Sequence, residues 1–237
     1  VIIDGNAIIH RAYHAIPPLT NKKGELVNAV YGFTSMLLKV WHDLRPTYMA
    51  VTFDMAGPTF RHEKFKEYKA TRVKADQELY DQIPLVHDVV RAFNIPIYEK
   101  KGYEADDVIG TIVRNAVSGK RKEVFEVYIV TGDMDTLQLV QPNVKVYTLR
   151  KGMSDAVVYD EVEVKKRYGF GPEMVVDYKA LRGDASDNIP GVAGIGEKTA
   201  TELIKEIGGV DEIYRQLKTQ NSKLKTCFKD GVVNKLV

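Results

Sequence analysis

Val124-Phe-Glu-Val-Tyr-Ile-Val-Thr-Gly-Asp-Met-Asp135 is the stretch on which the fold turns. Up to Thr131 it is rich in β-branched and aromatic residues and reads as a strand, then breaks at Gly132 into two acids. An apolar run closed by acid recurs along the chain. Val1 to Asp4 ends on one, and Tyr48 to Asp54 ends on another. Ile95 to Tyr98 is a third short strand, followed by Glu104, Asp106 and Asp107. A further strand is predicted over Val144–Thr148. Between them the apolar spacing turns helical, over Asn28–Leu44, Gln77–Phe93 and Glu104–Val117, with a break or kink expected at Pro84. Alternation of this kind predicts an α/β fold, a mostly parallel central sheet with helices on both faces.

From Tyr159 the pattern is helical only: Glu161–Tyr168, Glu173–Arg182, Glu197–Ile207 and Asp211–Leu217. The expected organisation is an α/β core over 1–158 and a helical subdomain over 159–237. The chain opens inside a strand, so a missing initiator residue is expected, as is truncation after Leu217.

Composition limits the function. The 237 residues are 44% hydrophobic, enough for a packed core. Lys plus Arg is 34 against 32 for Asp plus Glu, so net charge does not announce a nucleic-acid binder and the case rests on where the charges sit. One cysteine, Cys227, excludes a disulfide framework and a Cys-rich zinc site. No apolar run is long enough to span a bilayer.

In an open parallel sheet, ligands bind beyond the carboxyl ends of the strands. Four strands therefore deliver Asp4, Asp54, Glu104, Asp106, Asp107, Asp133 and Asp135 to one edge. Asp184 and Asp187, in Gly183-Asp-Ala-Ser-Asp187, are expected to complete the ring. Any one of these acids alone reads as a turn or first-turn helix residue. Together they repel, and a cation relieves them. Ligands that are all acids, without His or Cys, select a hard divalent ion, Mg²⁺ or Mn²⁺.

Arg61 to Lys74 holds six basic residues against two acidic ones, with Phe65 and Tyr68 interleaved. Beside an acidic metal edge, such a segment suits a polyanion. Further on, Gly191-Val-Ala-Gly-Ile-Gly-Glu-Lys-Thr199 nearly matches a phosphate-binding P-loop, but Glu197 breaks the spacing and no strand leads into it. The absent strand also removes a dinucleotide reading of Gly194 and Gly196. A helix–hairpin–helix fits better: the glycines admit a DNA phosphate, and Lys198 and Thr199 add donors at a helix start.

These strings resemble the 5′-nuclease (flap endonuclease-like) superfamily, and within it the 5′→3′ exonuclease domains that begin bacterial DNA polymerases I. The resemblance is carried by Val-Ile-Ile-Asp4-Gly-Asn, Phe60-Arg-His62, Glu67-Tyr-Lys-Ala-Thr-Arg72, Gly102-Tyr-Glu-Ala-Asp-Asp-Val108, Thr131-Gly-Asp-Met-Asp135 and Gly183 through Ala200, in order along almost the whole chain. It implies a PIN-like, resolvase-like nuclease core, a basic helical arch over about 58–82, and a C-terminal helix–hairpin–helix subdomain. It implies Asp4, Asp54, Glu104, Asp106 and Asp107 around one metal and Asp133, Asp135, Asp184 and Asp187 at a second, with catalysis through Asp107, Asp135, Lys69 and Arg72. DNA contacts are implied for Arg11, Arg61, Lys66, Tyr68 (stacking on a base), Lys69, Arg72, Gly191, Gly194, Gly196, Lys198 and Thr199. The implied cofactors are two Mg²⁺, replaceable by Mn²⁺, with K⁺ at the hairpin. The implied substrate is branched or nicked duplex DNA with a 5′ flap or end, cut to 5′-phosphates in replication and repair. The protein is expected to be a bacterial, cytoplasmic, nucleoid-associated monomer, not bound to membrane, with a polymerase domain in the same polypeptide. Met134, Val73-Lys-Ala75 and Ala193 depart from family habit, but none removes a carboxylate. A non-catalytic DNA-binding module and a ribonuclease are the rivals. Nine carboxylates argue against the first, and the arch and hairpin favour branched DNA over RNA.

Overall fold

A computed structural model describes residues 1–118, 125–151 and 155–218. The chain divides into two compact units: Val1–Glu63 with Val73–Asp160, and Lys64–Arg72 with the residues from Glu161 onward.

The first unit holds a six-stranded sheet. Its strands are β1 (Ile2–Asp4), β2 (Ala50–Thr52), β3 (Ile97–Tyr98), β4 (Val127–Val130), β5 (Val144–Lys151) and β6 (Asp155–Tyr159), in spatial order β3-β2-β1-β4-β5-β6. All neighbours are parallel except β5 and β6. The order reverses between β1 and β4, which makes the crevice beyond their carboxyl ends the topological switch point.

Helices α1 (Gly5–Ala15), α2 (Asn28–Leu44), α3 (Phe60–Lys64), α4 (Gln77–Ala92) and α5 (Ala105–Val117) also belong to this unit. Ile3, Val51 and Val130 lie in one row across the sheet. They share a buried cluster with Ile8 and Ile9 of α1, Phe33 and Leu37 of α2, and Leu79, Val86 and Val90 of α4. Helix α5 packs its buried Ile109 and Val113 against β1, β2 and β4 outside that cluster, on the opposite face. Helices therefore cover both faces, as expected. Helix α2 has no capping side chain of its own. The buried Gln82 of α4 supplies one, its Oε1 accepting from the Ala29 N–H at 2.8 Å.

The sequence reading differs from the structure at several elements. Helix α4 runs through Pro84 without a break. Pro84 is exposed, so the carbonyl that loses its donor can turn to water. Helix α1 and strand β6 were not anticipated. The expected arch is helical only at α3 and from Gln77 onward. Between them Lys69 takes a left-handed φ of 55°, and tight turns replace helix.

The second unit contains α6 (Glu161–Tyr168), α7 (Val175–Arg182), α8 (Glu197–Glu206) and α9 (Val210–Leu217), close to the expected spans. Glu173 and Met174, expected as the start of a helix, belong instead to a 3₁₀ turn over Pro172–Met174 ahead of α7. The rings of Tyr168, Phe170 and Tyr178 meet at 5.4–5.6 Å, and Leu181, Leu203 and Ile213 are buried. Cys227 and the rest of the tail lie outside the described residues.

Candidate active site

The acids at the carboxyl edge are built by local structure. Asp4 closes β1 and caps α1, its Oδ1 accepting from the Ala7 N–H at 3.0 Å. Its Oδ2 accepts from the Thr131 hydroxyl at 2.8 Å, across the switch point. Thr131 in turn accepts from the Asp133 N–H at 3.0 Å, and Asp133 Oδ1 accepts from the Asp135 N–H at 2.8 Å. Asp54 accepts from the Ala105 N–H at 2.7 Å, while its own N–H donates to Asn6 Oδ1 at 3.0 Å. Glu104 and Asp107 form a reciprocal capping box at the start of α5. Asp4 and Glu104 are thus helix caps as well as candidate ligands, and Asp133 caps the 3₁₀ turn Met134–Leu139.

Electrostatics separates these acids. Asp106 is pushed up to about 8, first by burial and then by the charges of Asp4, Asp133, Asp54 and Glu104. Asp4 is pushed up to about 6, mainly by burial, against the hydrogen bonds from Ala7 and Thr131, with Asp54 and Asp133 adding repulsion. A hard cation would relieve this accumulation of negative charge. Among the described residues, however, no three His, Cys, Asp or Glu side chains converge closely enough to hold an ion as they stand. Asp4, Asp54, Asp107 and Asp133 are engaged by protein donors. The donor set fits a divalent ion in charge and chemistry, and its side chains must turn inward to ligate.

Asp107 is held by a guanidinium. Both its oxygens face the Arg61 guanidinium, at 2.7 and 2.8 Å, and Oδ2 also accepts from the Glu104 N–H at 2.9 Å. Arg61 also lies 3.8 Å from Glu104 and over the Phe60 ring.

The remaining expected residues lie elsewhere. Arg11 is half-buried on α1, and Lys66 is exposed. In the second unit Asp187 accepts from the Tyr68 hydroxyl at 3.1 Å and from Arg72 at 2.6 Å, and the Lys69 N–H donates to its carbonyl. Tyr68 is only 5% exposed, so its expected stacking face is covered here. Burial pushes Asp184 upward, but Lys179, at 2.7 Å, and Ser186 hold it well below the usual carboxylate range.

The glycine hairpin forms as expected. Gly191 has a φ of 62°, and a Cβ there would sit 2.3 Å from the Gly183 nitrogen. Gly194 is also left-handed, and Gly196 caps α8, with Lys198 and Thr199 in its first turn. Sequence reasoning gave no role to Thr131 and Lys179, which hold the Asp4 and Asp184 carboxylates, or to Asn6, which holds the Asp54 backbone. Thr131 and Asn6 lie 127 and 48 positions from the acids they hold, so no local spacing marked them.

The chain matches two adjoining family models: the 5'-3' exonuclease N-terminal resolvase-like domain over residues 1–169, and the 5'-3' exonuclease C-terminal SAM fold over 170–235. It is 46% identical to DNA polymerase I of Bacillus caldotenax over 226 residues, covering 95% of this chain and 25% of the relative. It is 44% identical to that of Bacillus subtilis (strain 168) over 223 residues, covering 94% and 25%. The chain therefore spans about a quarter of the length of these curated relatives. Its fold is similar to that of the T5 D15 protein co-crystallised with metal ions, with a TM-score of 0.75 and 21% identity, covering 99% of this chain and 82% of that one. It is also similar to the catalytic core of Rad2 in complex with DNA substrate, with a TM-score of 0.60 and 18% identity, covering 100% and 71%. Two family models tile nearly all of a sequence whose parallel sheet gathers acids at its switch point, and the chain belongs to the 5'-3' exonuclease family.

Proposed function

We propose that this domain is a divalent-metal-dependent 5′ nuclease acting on DNA with a 5′ flap or end. The observation that carries the reading is the gathering of Asp4, Asp54, Glu104, Asp106 and Asp133 at the sheet's switch point, close enough that burial and their mutual repulsion push the Asp106 carboxyl up. Asp4, Asp54, Glu104, Asp106 and Asp107 would hold one ion, and Asp133, Asp135, Asp184 and Asp187 would serve a second. When bound, such an ion supplies Lewis-acid charge to a phosphate oxygen and makes water more acidic. Mg²⁺ is the expected ion, with Mn²⁺ able to replace it.

The chain's own groups do the rest. Thr131 holds the Asp4 carboxylate, the Ala105 N–H holds that of Asp54, and Asn6 holds the Asp54 backbone. Lys69 and Arg72 offer cations to the negative charge that grows in the transition state. Water adds to phosphorus as the bond to the 3′ oxygen breaks, leaving a 5′-phosphate and a 3′-hydroxyl. Backbone N–H groups of the Gly191–Gly196 hairpin and the α8 N-terminus grip the sugar–phosphate chain of the duplex, with K⁺ as the expected monovalent ion there.

Support also comes from relatives named DNA polymerase I and from fold neighbours solved with metal ions or DNA. On that basis we assign primer and flap removal in replication and repair, in the bacterial cytoplasm at the nucleoid, by a monomer whose polypeptide also carries a polymerase. No helix among the described residues is long and apolar enough to cross a membrane.

A second reading, a DNA-binding module without chemistry, is favoured by the carboxylates paired with the protein's own cations at Asp107, Asp184 and Asp187. An end-labelled 5′-flap duplex separates the two. Mg²⁺-dependent release of the flap near the junction, stopped by EDTA, supports the nuclease. Tight binding without cleavage in Mg²⁺ and Mn²⁺ supports the module.

A further inference from the structure

Asp106 and Asp107 are neighbours on the first turn of α5 and differ in how their charge is met. Among the described residues no donor reaches Asp106. Asp107 accepts from both terminal nitrogens of Arg61, at 2.7 and 2.8 Å, and from the Glu104 N–H at 2.9 Å. The Arg61–Asp107 pair is partly buried, with side chains 31% and 21% exposed, and Glu104, 3.8 Å from the same guanidinium, is 11% exposed. A fork meeting both oxygens of one carboxylate is the strong form of this interaction. It also occupies the terminal nitrogens that Arg61 would use to grip a phosphate.

We infer that Arg61 is a built-in counter-cation for Asp107 and Glu104, which an arriving divalent ion displaces, so that metal binding releases the guanidinium to a phosphate of the nucleic acid. The inference rests on the metal-dependent reading above and adds an order of events to it. One carboxylate cannot face a bidentate guanidinium and an inward-lying cation with the same oxygens. Metal and Arg61 therefore compete for Asp107, while metal and phosphate cooperate through Arg61. By linkage, whatever metal does for phosphate affinity, phosphate does equally for metal affinity. The placement suits this exchange. Arg61 stands at the start of the basic segment, stacked 4.7 Å from the Phe60 ring centroid, and that contact can hold its stem as the fork swings away.

The test is calorimetric titration with Mn²⁺ alone, comparing the wild-type chain, Arg61→Gln and Arg114→Gln. Arg114 is exposed on the same helix and serves as the control for loss of one positive charge. Removing the competitor should tighten Mn²⁺ binding roughly threefold to tenfold, the scale of releasing one partly buried ion pair. The control should move it less than about twofold, because exposed charge is screened.

A second arm measures binding of 5′-flap DNA with and without Ca²⁺. Metal should strengthen it in the wild type and strengthen it much less in Arg61→Gln. If Arg61→Gln does not fold, Arg61→Lys replaces it. That variant keeps the charge but not the fork, and an intermediate tightening supports the exchange. Mn²⁺ binding unchanged or weakened by the Arg61 variant overturns the inference alone. No Mn²⁺ binding by the wild type overturns the metal-dependent reading as well.

Discussion

The Tyr68 hydroxyl donates to the Asp187 carboxylate at 3.1 Å, tying the basic segment to the loop ahead of the glycine hairpin within the second unit. Around that bond Arg72 reaches the other Asp187 oxygen, the Lys69 N–H meets the Asp187 carbonyl, and Asn188 donates to the Glu67 carbonyl. Asp187 is here an anchor for the residues expected to handle the cleaved strand. Tyr68→Phe should lower stability by about 1.5 to 3 kcal/mol, the worth of a hydrogen bond to a charged acceptor. Asp187→Ala should cost more, since it strips Arg72 too. A double-mutant cycle in urea denaturation should give strong coupling between them, and additive effects would remove the anchor.

Asp106→Asn should stabilise the metal-free protein. The folded-state pKa of Asp106, about 8, lies above its ordinary 3.8, so between those values the folded form holds a proton that the unfolded form has released. Metal-free stability therefore falls as pH rises through that window. Asn carries no such proton, so thermal melts in EDTA should decline less with pH and end higher at pH 9. The stabilising effect of added Mg²⁺ should shrink in the same variant. A variant less stable than wild type at pH 9 would contradict this.

Gly5→Ala should damage fold and site together. A Cβ at Gly5 would lie 2.1 Å from the Phe53 ring, and Gly5 and Phe53 adjoin Asp4 and Asp54. Overpacking of this kind costs about 1 to 3 kcal/mol. Melting and Mg²⁺-dependent cleavage should both fall. Gly24→Ala meets nothing within 4 Å and serves as the comparison for steric crowding, although its positive φ adds its own strain.

Thr131→Val should destabilise by about 1 to 3 kcal/mol, because it removes one hydrogen bond to buried Asp4 and leaves the Asp133 N–H without its acceptor. Thr131→Ser keeps the hydroxyl and should restore most of the loss. Equal loss in both variants would place the effect in packing rather than in the hydrogen bonds.

Much of this structure was legible in the sequence. The apolar runs ending in acids located β1 to β4, and helix α2 was read to the residue because Phe33, Leu37 and Val40 repeat at helical spacing. Helix α1 was missed because Gly5, His10, Arg11 and His14 dilute its buried set of Ile8, Ile9 and Ala12. Strand β6 is only half-buried, and its antiparallel pairing depends on β5 already being present. The acids of the site were legible because their residue type is chemically specific. Their partners were not. The fork of Arg61 over Asp107 and the bond from Tyr68 to Asp187 join residues 46 and 119 positions apart, and neither periodicity nor local spacing encodes such pairs.

The most direct test of the metal-bearing sheet edge is an anomalous-difference map from crystals grown with Mn²⁺. The account predicts a peak at the switch point between β1 and β4, within about 2.2 Å of a carboxylate oxygen of Asp106 and bounded by Asp4, Asp54, Glu104 and Asp133. No peak there at saturating Mn²⁺, or peaks only at other acids, would contradict it.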